Sequence, residues 1–171
     1  MRAVVKPSIC IVPLLIALAS FAQRPDWRNR VDHMVREADS LSMKSQKIFY
    51  LNKFIGEDKP VKETWYYTLN NGRVLIFEVK YVLEGIEHSE IYYLDKNDLI
   101  CMEQYEVPYL SVYTDEVKKG GAYFFVGNDL KEFVLTGRQN PDDFKLSNGY
   151  GLYSRFEKRY KELKETLTLQ R

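Results

Sequence analysis

The apolar positions near the start of the chain, Trp27, Val31, Met34, Ala38, Leu41 and Ile48, with Ser45 in register, recur in steps of four and three. That spacing puts them on one face of an α-helix, with Arg28, Arg30, Asp32, Arg36, Glu37 and Asp39 on the other. Pro25 and Asp26 supply a start signal. A helix is therefore predicted from about Asp26 to about Phe49, followed by a loop at "GEDKP", residues 56–60.

From Glu63 the period drops to two. "TWYYTL" and "RVLIFEVKYVL" flank "NNG", the strongest short-range signal for a β-hairpin. In the return strand Leu75, Phe77, Val79, Tyr81 and Leu83 are assigned to one side. Val74, Ile76, Glu78, Lys80, Val82 and Glu84 take the other. The end near the turn is apolar on both sides, so both faces need cover there. "EGIEHS", residues 84–89, reads as a polar connection. A second hairpin follows in "EIYYL", "DKND" and "LICMEQYEV", with Pro108 stopping the strand or marking a sheet edge. Residues 109–119 show no clean period. "GGAYFFV", "GND" and "LKEFVLTG" form a third hairpin.

The three hairpins resemble one another. "YYTLNNGRVLIFE", "YYLDKNDLICME" and "YFFVGNDLKEF" share an aromatic pair, a short Asn/Asp/Gly turn and an aliphatic entry to the return strand. The first two also repeat a glutamate, Glu78 and Glu103. Duplication and convergence on favourable turn chemistry both account for the pattern. After the loop "TGRQNPDDFKLSNG", Leu152, Phe156, Tyr160, Leu163 and Leu167 share a helical face, with Ser154 and Glu157 at capping-box spacing.

The predicted fold is α+β: an N-terminal helix, an antiparallel β-meander of about six strands in three hairpins, and a C-terminal helix packed on the sheet. The helices are expected on one face, and the aromatics on both, one set packed under the helices and the other left on the open face.

The N-terminus changes the picture of where the chain works. Arg2 and Lys6 precede an apolar run from Ile9 to Ala19, too short to span a bilayer at about 20 residues, and "ASFAQ" ends it. Residues 1–22 read as a cleaved signal peptide, cut after Ala22, and 23–171 as a single α+β domain in a periplasmic or secreted setting. Cys10 departs with the signal, so the mature chain holds only Cys101 and forms no intramolecular disulfide. Cleavage leaves 23 basic against 24 acidic residues, with no basic field for nucleic acid and no further membrane span.

Candidate chemistry is sparse. His33 and His88 lie in different elements without ligand spacing, so no metal site is expected, and no cofactor motif is present. Cys101 sits between Ile100 and Met102, which favours an inert core thiol over a nucleophile. Asp142 and Asp143 lack the spacing of a calcium loop. Glu78 and Glu103 are the one candidate acid/base pair. Tyr66, Tyr67, Tyr92, Tyr93, Tyr123 and Phe124 form pairs on three strands, one member of each pointing in and one out, and tyrosine offers contact area with a polar tip.

The segment "YYLDKNDLICMEQYE" resembles the "YYF-x-NGKL-x-x-x-x-E" hairpins of small, uncharacterised exported bacterial proteins, over roughly residues 63–137. It departs from them in carrying "DKND" where Asn-Gly is usual. The resemblance implies a bacterial periplasmic or secreted setting and carries over no catalytic residue. The expected function is a non-enzymatic binding module. Its aromatic sheet face would meet a protein or cell-envelope partner. The alternative is a small cell-envelope hydrolase using Glu78 and Glu103. A dimer through the sheet edge after Pro108 is a third possibility.

Overall fold

The computed structural model describes residues 26–54, 60–109, 117–140 and 144–169. The predicted signal segment 1–22, most of "GEDKP" and the Asp142–Asp143 pair lie outside the described residues. Helix α1 (Asp26–Ser45) is followed by seven strands: β1 (Lys47–Phe54), β2 (Pro60–Asn70), β3 (Arg73–Leu83), β4 (Ile86–Asp95), β5 (Asp98–Pro108), β6 (Lys119–Val126) and β7 (Asp129–Gly137). A short 3₁₀ turn (Leu146–Asn148) leads into helix α2 (Gly149–Leu169). The strands form one antiparallel sheet in the order β1 to β7, each paired with its neighbours in sequence. The fold is α+β, as expected, with seven strands among the described residues rather than about six.

The additional strand is β1. The first helix ends at Ser45, not at about Phe49, and "KIFYLNKF" is extended. Ile48, assigned by spacing to the helix face, is instead 49% exposed on an edge strand. The β-branched Ile48 and its aromatic neighbours Phe49 and Tyr50 fit a pleated surface. The buried stripe of α1 runs through Val31, Val35 and Ala38, so Val35 takes the place expected for Met34.

The grouping into three hairpins does not describe the sheet, which is a continuous meander. Glu84 and Gly85, with φ of 52° and 75°, form a two-residue turn directly between β3 and β4. This is the both-positive geometry of a tight hairpin turn, in which glycine is free of the Cβ clash. The predicted connection at 84–89 is therefore only two residues long, and Ile86–Ser89 belong to β4. Pro108 ends β5, an interior strand, so the edges are β1 and β7 and not the segment after Pro108.

The tips of β2–β3, β4–β5 and β6–β7 share one irregularity. Thr68 pairs with Ile76 but Leu69 with Val74; Tyr93 with Cys101 but Leu94 with Leu99; Phe124 with Glu132 but Phe125 with Leu130. One extra residue, Leu75, Ile100 or Lys131, is thus inserted in each return strand, a β-bulge at the same place. In the first two, consecutive apolar residues, Leu75–Ile76 and Ile100–Cys101, join the same apolar cluster.

The helices lie on opposite faces of the sheet, not on one. Helix α2 covers Trp65, Phe77, Tyr92, Leu94, Leu99 and Met102 with Leu152, Phe156, Tyr160 and Leu163. Rings stack across four strands there, Phe49 on Trp65 at 5.5 Å, Trp65 on Phe77 at 6.2 Å and Phe77 on Tyr92 at 4.5 Å. Helix α1 covers Ile76, Tyr93, Cys101 and Phe124 near the tips of the opposite face. Helix α2 starts at Gly149, so Ser154 and Glu157 lie inside it and do not cap it.

Thr68 is fully buried on the α1 face and its hydroxyl has no hydrogen-bond partner. An unpaired buried hydroxyl costs about 1–3 kcal/mol, which a methyl of similar shape avoids. Thr68→Val is expected to raise stability by about 1 kcal/mol, or about 2–4 °C in Tm, in thermal unfolding. A loss of stability would contradict this placement of the hydroxyl.

Candidate functional site

The alternation of β-strand side chains decides which predicted site residues come together. Tyr67, Tyr92 and Tyr123 point to the α2 face and are buried. Tyr93 and Phe124 point to the α1 face and are also buried, beneath the helix. The aromatic stripe predicted for an open face is therefore mostly core. Tyr93 donates to Asp39 of α1 at 3.0 Å, and burial raises its phenol well above the ordinary range. The guanidinium of Arg28 lies 3.2 Å from the centroid of the Phe124 ring and pairs with Asp32 and Glu132. These contacts fasten α1 to the sheet. Among the six predicted aromatics, Tyr66 alone stays half-exposed, beyond the C-terminal end of α1.

Helix α1 covers only the tip half of its face. Past its end the sheet presents Ile48 and Tyr50 from β1, Thr64 and Tyr66 from β2, and Lys80 and Val82 from β3. Met43 is 88% exposed and Tyr50 55%. Met43 and Tyr66 line one cleft of about 280 Å³ with Asp39 and Glu78. Tyr66 also lines a second cleft of about 590 Å³ with Lys62, Lys80, Val82 and Tyr109. The ammonium of Lys62 lies 4.2 Å from the Tyr50 ring and that of Lys80 5.7 Å from the Tyr66 ring. Ile48, Tyr50, Tyr66 and Met43 form a contiguous apolar row, with charges around it.

Glu78 and Glu103 share this face. They flank Ile91 across β4, two strand spacings apart, about 10 Å at the backbone. Glu78 accepts from Ser89 at 2.7 Å and pairs with Lys80 at 3.1 Å. Glu103 accepts from Tyr105 at 2.9 Å. Burial raises the Glu103 carboxyl above the ordinary range; the Tyr105 bond opposes this, and Asp39 and Glu78 add to it. Cys101 is buried and its thiol is pushed up by desolvation, so it is inert. His33 is exposed, and His88 stacks on Tyr81 at 4.9 Å. Among the described residues no group of three or more His, Cys, Asp or Glu side chains could hold a metal ion.

The strongest electrostatic feature lies on the other face. Glu63 and Glu90 are 2% and 4% exposed beneath α2. Arg159 reaches both, at 2.8 Å to Glu63 and 3.1 Å to Glu90. Trp65 donates to Glu63 at 3.0 Å and Tyr92 to Glu90 at 2.8 Å. Lys53 adds a contact to Glu63 at 3.7 Å and a close pair with Glu162 at 2.6 Å. Desolvation lowers the affinity of Arg159 for its proton, but Glu90 and Glu63 outweigh it and hold the guanidinium charged. The sequence reading missed Glu63, Glu90 and Arg159. A signal was present: glutamate two residues before an aromatic donor occurs at Glu63–Trp65, Glu90–Tyr92 and Glu103–Tyr105, and β-strand spacing puts each pair on one face.

No family model, curated protein or solved structure matches the chain. Among the described residues no helix is long and apolar enough to cross a membrane.

Removing one partner from a buried ion network strands the others in low dielectric, at about 3–5 kcal/mol. Arg159→Met is expected to lose stability of that order in chemical denaturation. The triple change with Glu63→Gln and Glu90→Gln should recover much of the loss. An Arg159→Met protein as stable as the parent would show that the network does not act as a unit.

Proposed function

We propose that this chain is an exported, non-enzymatic binding module. It docks a protein partner on the half of the α1 sheet face that the helix leaves uncovered. The observation that carries this reading is the exposed apolar row of Met43, Ile48 and Tyr50, continuous with Tyr66, on a rigid sheet. Large exposed apolar side chains scattered singly are ordinary, whereas a contiguous row rimmed by charge is the composition of a protein interface. Lys62, Lys80, Glu84 and Glu87 supply that rim. The binding surface is thus centred on Tyr66 and Tyr50. The buried members of the aromatic pairs hold the sheet beneath it. Export follows from the signal-like N-terminus and is part of the same proposal.

Photo-crosslinking residues at Tyr50, Tyr66 and, as a control, exposed Val134 on β7 test the surface in cells that make the protein. A discrete adduct is expected from the first two positions and not from Val134. Ile48→Asp should abolish it. Absence of any adduct, or the same adducts from all three positions, would overturn the proposal.

A second reading, a small cell-envelope hydrolase, has one observation in its favour. Glu103 is held towards its protonated form, while Glu78 sits beside Lys80, so the two carboxyls occupy the unequal environments that acid and base roles require. They lie two strand spacings apart on one face, and Glu78 is close enough to act electrostatically on Glu103. On the binding-module reading, the protein releases no aryl group from chromogenic aryl glycosides. Release that Glu103→Gln abolishes would establish the hydrolase instead.

A further inference from the structure

A cleft of about 440 Å³ opens between the C-terminal half of α2 and the β2–β3 tip, on the face away from the surface described above. Its volume lies within the range of small-molecule pockets. Leu69, Val74 and Leu167 give it an apolar lining. Tyr160 closes one wall, fixed by donating its hydroxyl to Asn97 of the β4–β5 turn at 2.7 Å. The charged residues in the lining are Lys47, Arg73 and Lys164, all cationic, and among the described residues no carboxylate lines the cleft.

Most cations packed against the sheet elsewhere are neutralised. Arg159, Lys53, Lys80 and Arg28 each pair with a carboxylate at 3.1 Å or less. Among the described residues Lys47, Arg73 and Lys164 have no such partner; the ammonium of Lys164 lies 4.5 Å from the Tyr160 ring instead. Nor does the helix terminus account for Lys164, since the last turn of α2 contains no basic residue. Lys47 and Lys164 thus face the cleft without a carboxylate, and Arg73, which also borders a neighbouring cleft with Glu37 and Asp95, lines its rim; an anion placed among them is attracted by all three.

We infer that this cleft binds an amphipathic carboxylate, a small molecule with one anionic head and an apolar body. The head sits among the three cations, where the Arg73 guanidinium offers the planar fork that matches a carboxylate. The body lies along Leu69, Val74 and Leu167. This site is independent of the proposed protein-docking surface, so either can fail without the other.

Titration calorimetry with octanoate, 1-octanol and acetate tests both halves of the inference. Octanoate is expected to bind at least tenfold tighter than octanol, which lacks the head, and than acetate, which lacks the body. Octanoate should also shift the backbone amide resonances of Leu69, Val74 and Leu167. The triple variant Lys47→Gln, Arg73→Gln, Lys164→Gln should weaken octanoate at least tenfold while keeping its unfolding midpoint, because all three residues are exposed. Equal binding of octanoate and octanol, or undiminished binding by the variant, would overturn the site. Failure to bind octanoate together with co-sedimentation on phosphatidylglycerol vesicles would assign the cations to a membrane surface and also overturn it.

Discussion

The arrangement of the α2 face depends on Arg159. Glu63 on β2 and Glu90 on β4 are separated by β3, and both are buried. Two carboxylates in that position are tolerable only with a cation between them. Arg159 is the side chain that spans the gap, through its Nε to one and a terminal nitrogen to the other. The apolar contacts of Leu152, Phe156, Tyr160 and Leu163 hold α2 down, each worth roughly 1.5–3 kcal/mol. Such contacts are non-directional, and a helix with an apolar stripe could slide along them. The fork of Arg159 is directional. It is satisfied in the one placement that brings both glutamates within reach, and that placement sets the cleft between α2 and the β2–β3 tip.

The opposite face is governed by the repeated bulge. Inserting Leu75 and Ile100 turns two apolar residues in succession towards the same side. This creates an apolar patch at the tips, which α1 covers. The patch ends where the return strands resume alternation with Glu78 and Glu103, and the helix cover ends there as well. Three polar ties finish the job: Asp39 to Tyr93, Arg28 to Phe124 and Glu132, and Arg30 to Asp95. The uncovered half-face is therefore a consequence of how far the bulge patch extends.

Much of this was legible in the sequence. The two helices, the strand pairs around Asn-Gly-type turns and the burial of Cys101 follow from periodicity and turn chemistry. The departures have physical causes. "KIFYLNKF" followed a strong helical pattern without a proline or glycine, and only pairing with β2 makes it a strand. "EGIEHS" looked like a loop because it is polar, yet His88 and Ser89 are held in a strand by neighbours on both sides. The assignment of the aromatic pairs to inside and outside was correct in alternation for each strand. It could not show that a helix covers Tyr93 and Phe124 of the outer set, because α1's position is set by long-range contacts. Arg159 was invisible for the same reason: its partners lie 96 and 69 residues away.

The tyrosines, the most conspicuous feature of the composition, thus divide by what reaches their hydroxyls. Tyr92, Tyr93 and Tyr105 donate to Glu90, Asp39 and Glu103, and Tyr160 donates to Asn97. A buried or half-buried ring whose hydroxyl has found an internal acceptor is structural, since breaking that bond to meet a partner costs the desolvation already compensated. Tyr50 and Tyr66 have lysine ammonium groups near their rings, contacts that can be exchanged for a partner's surface at little cost. On the proposed reading, recognition falls to these two because the core has no other use for their polar ends.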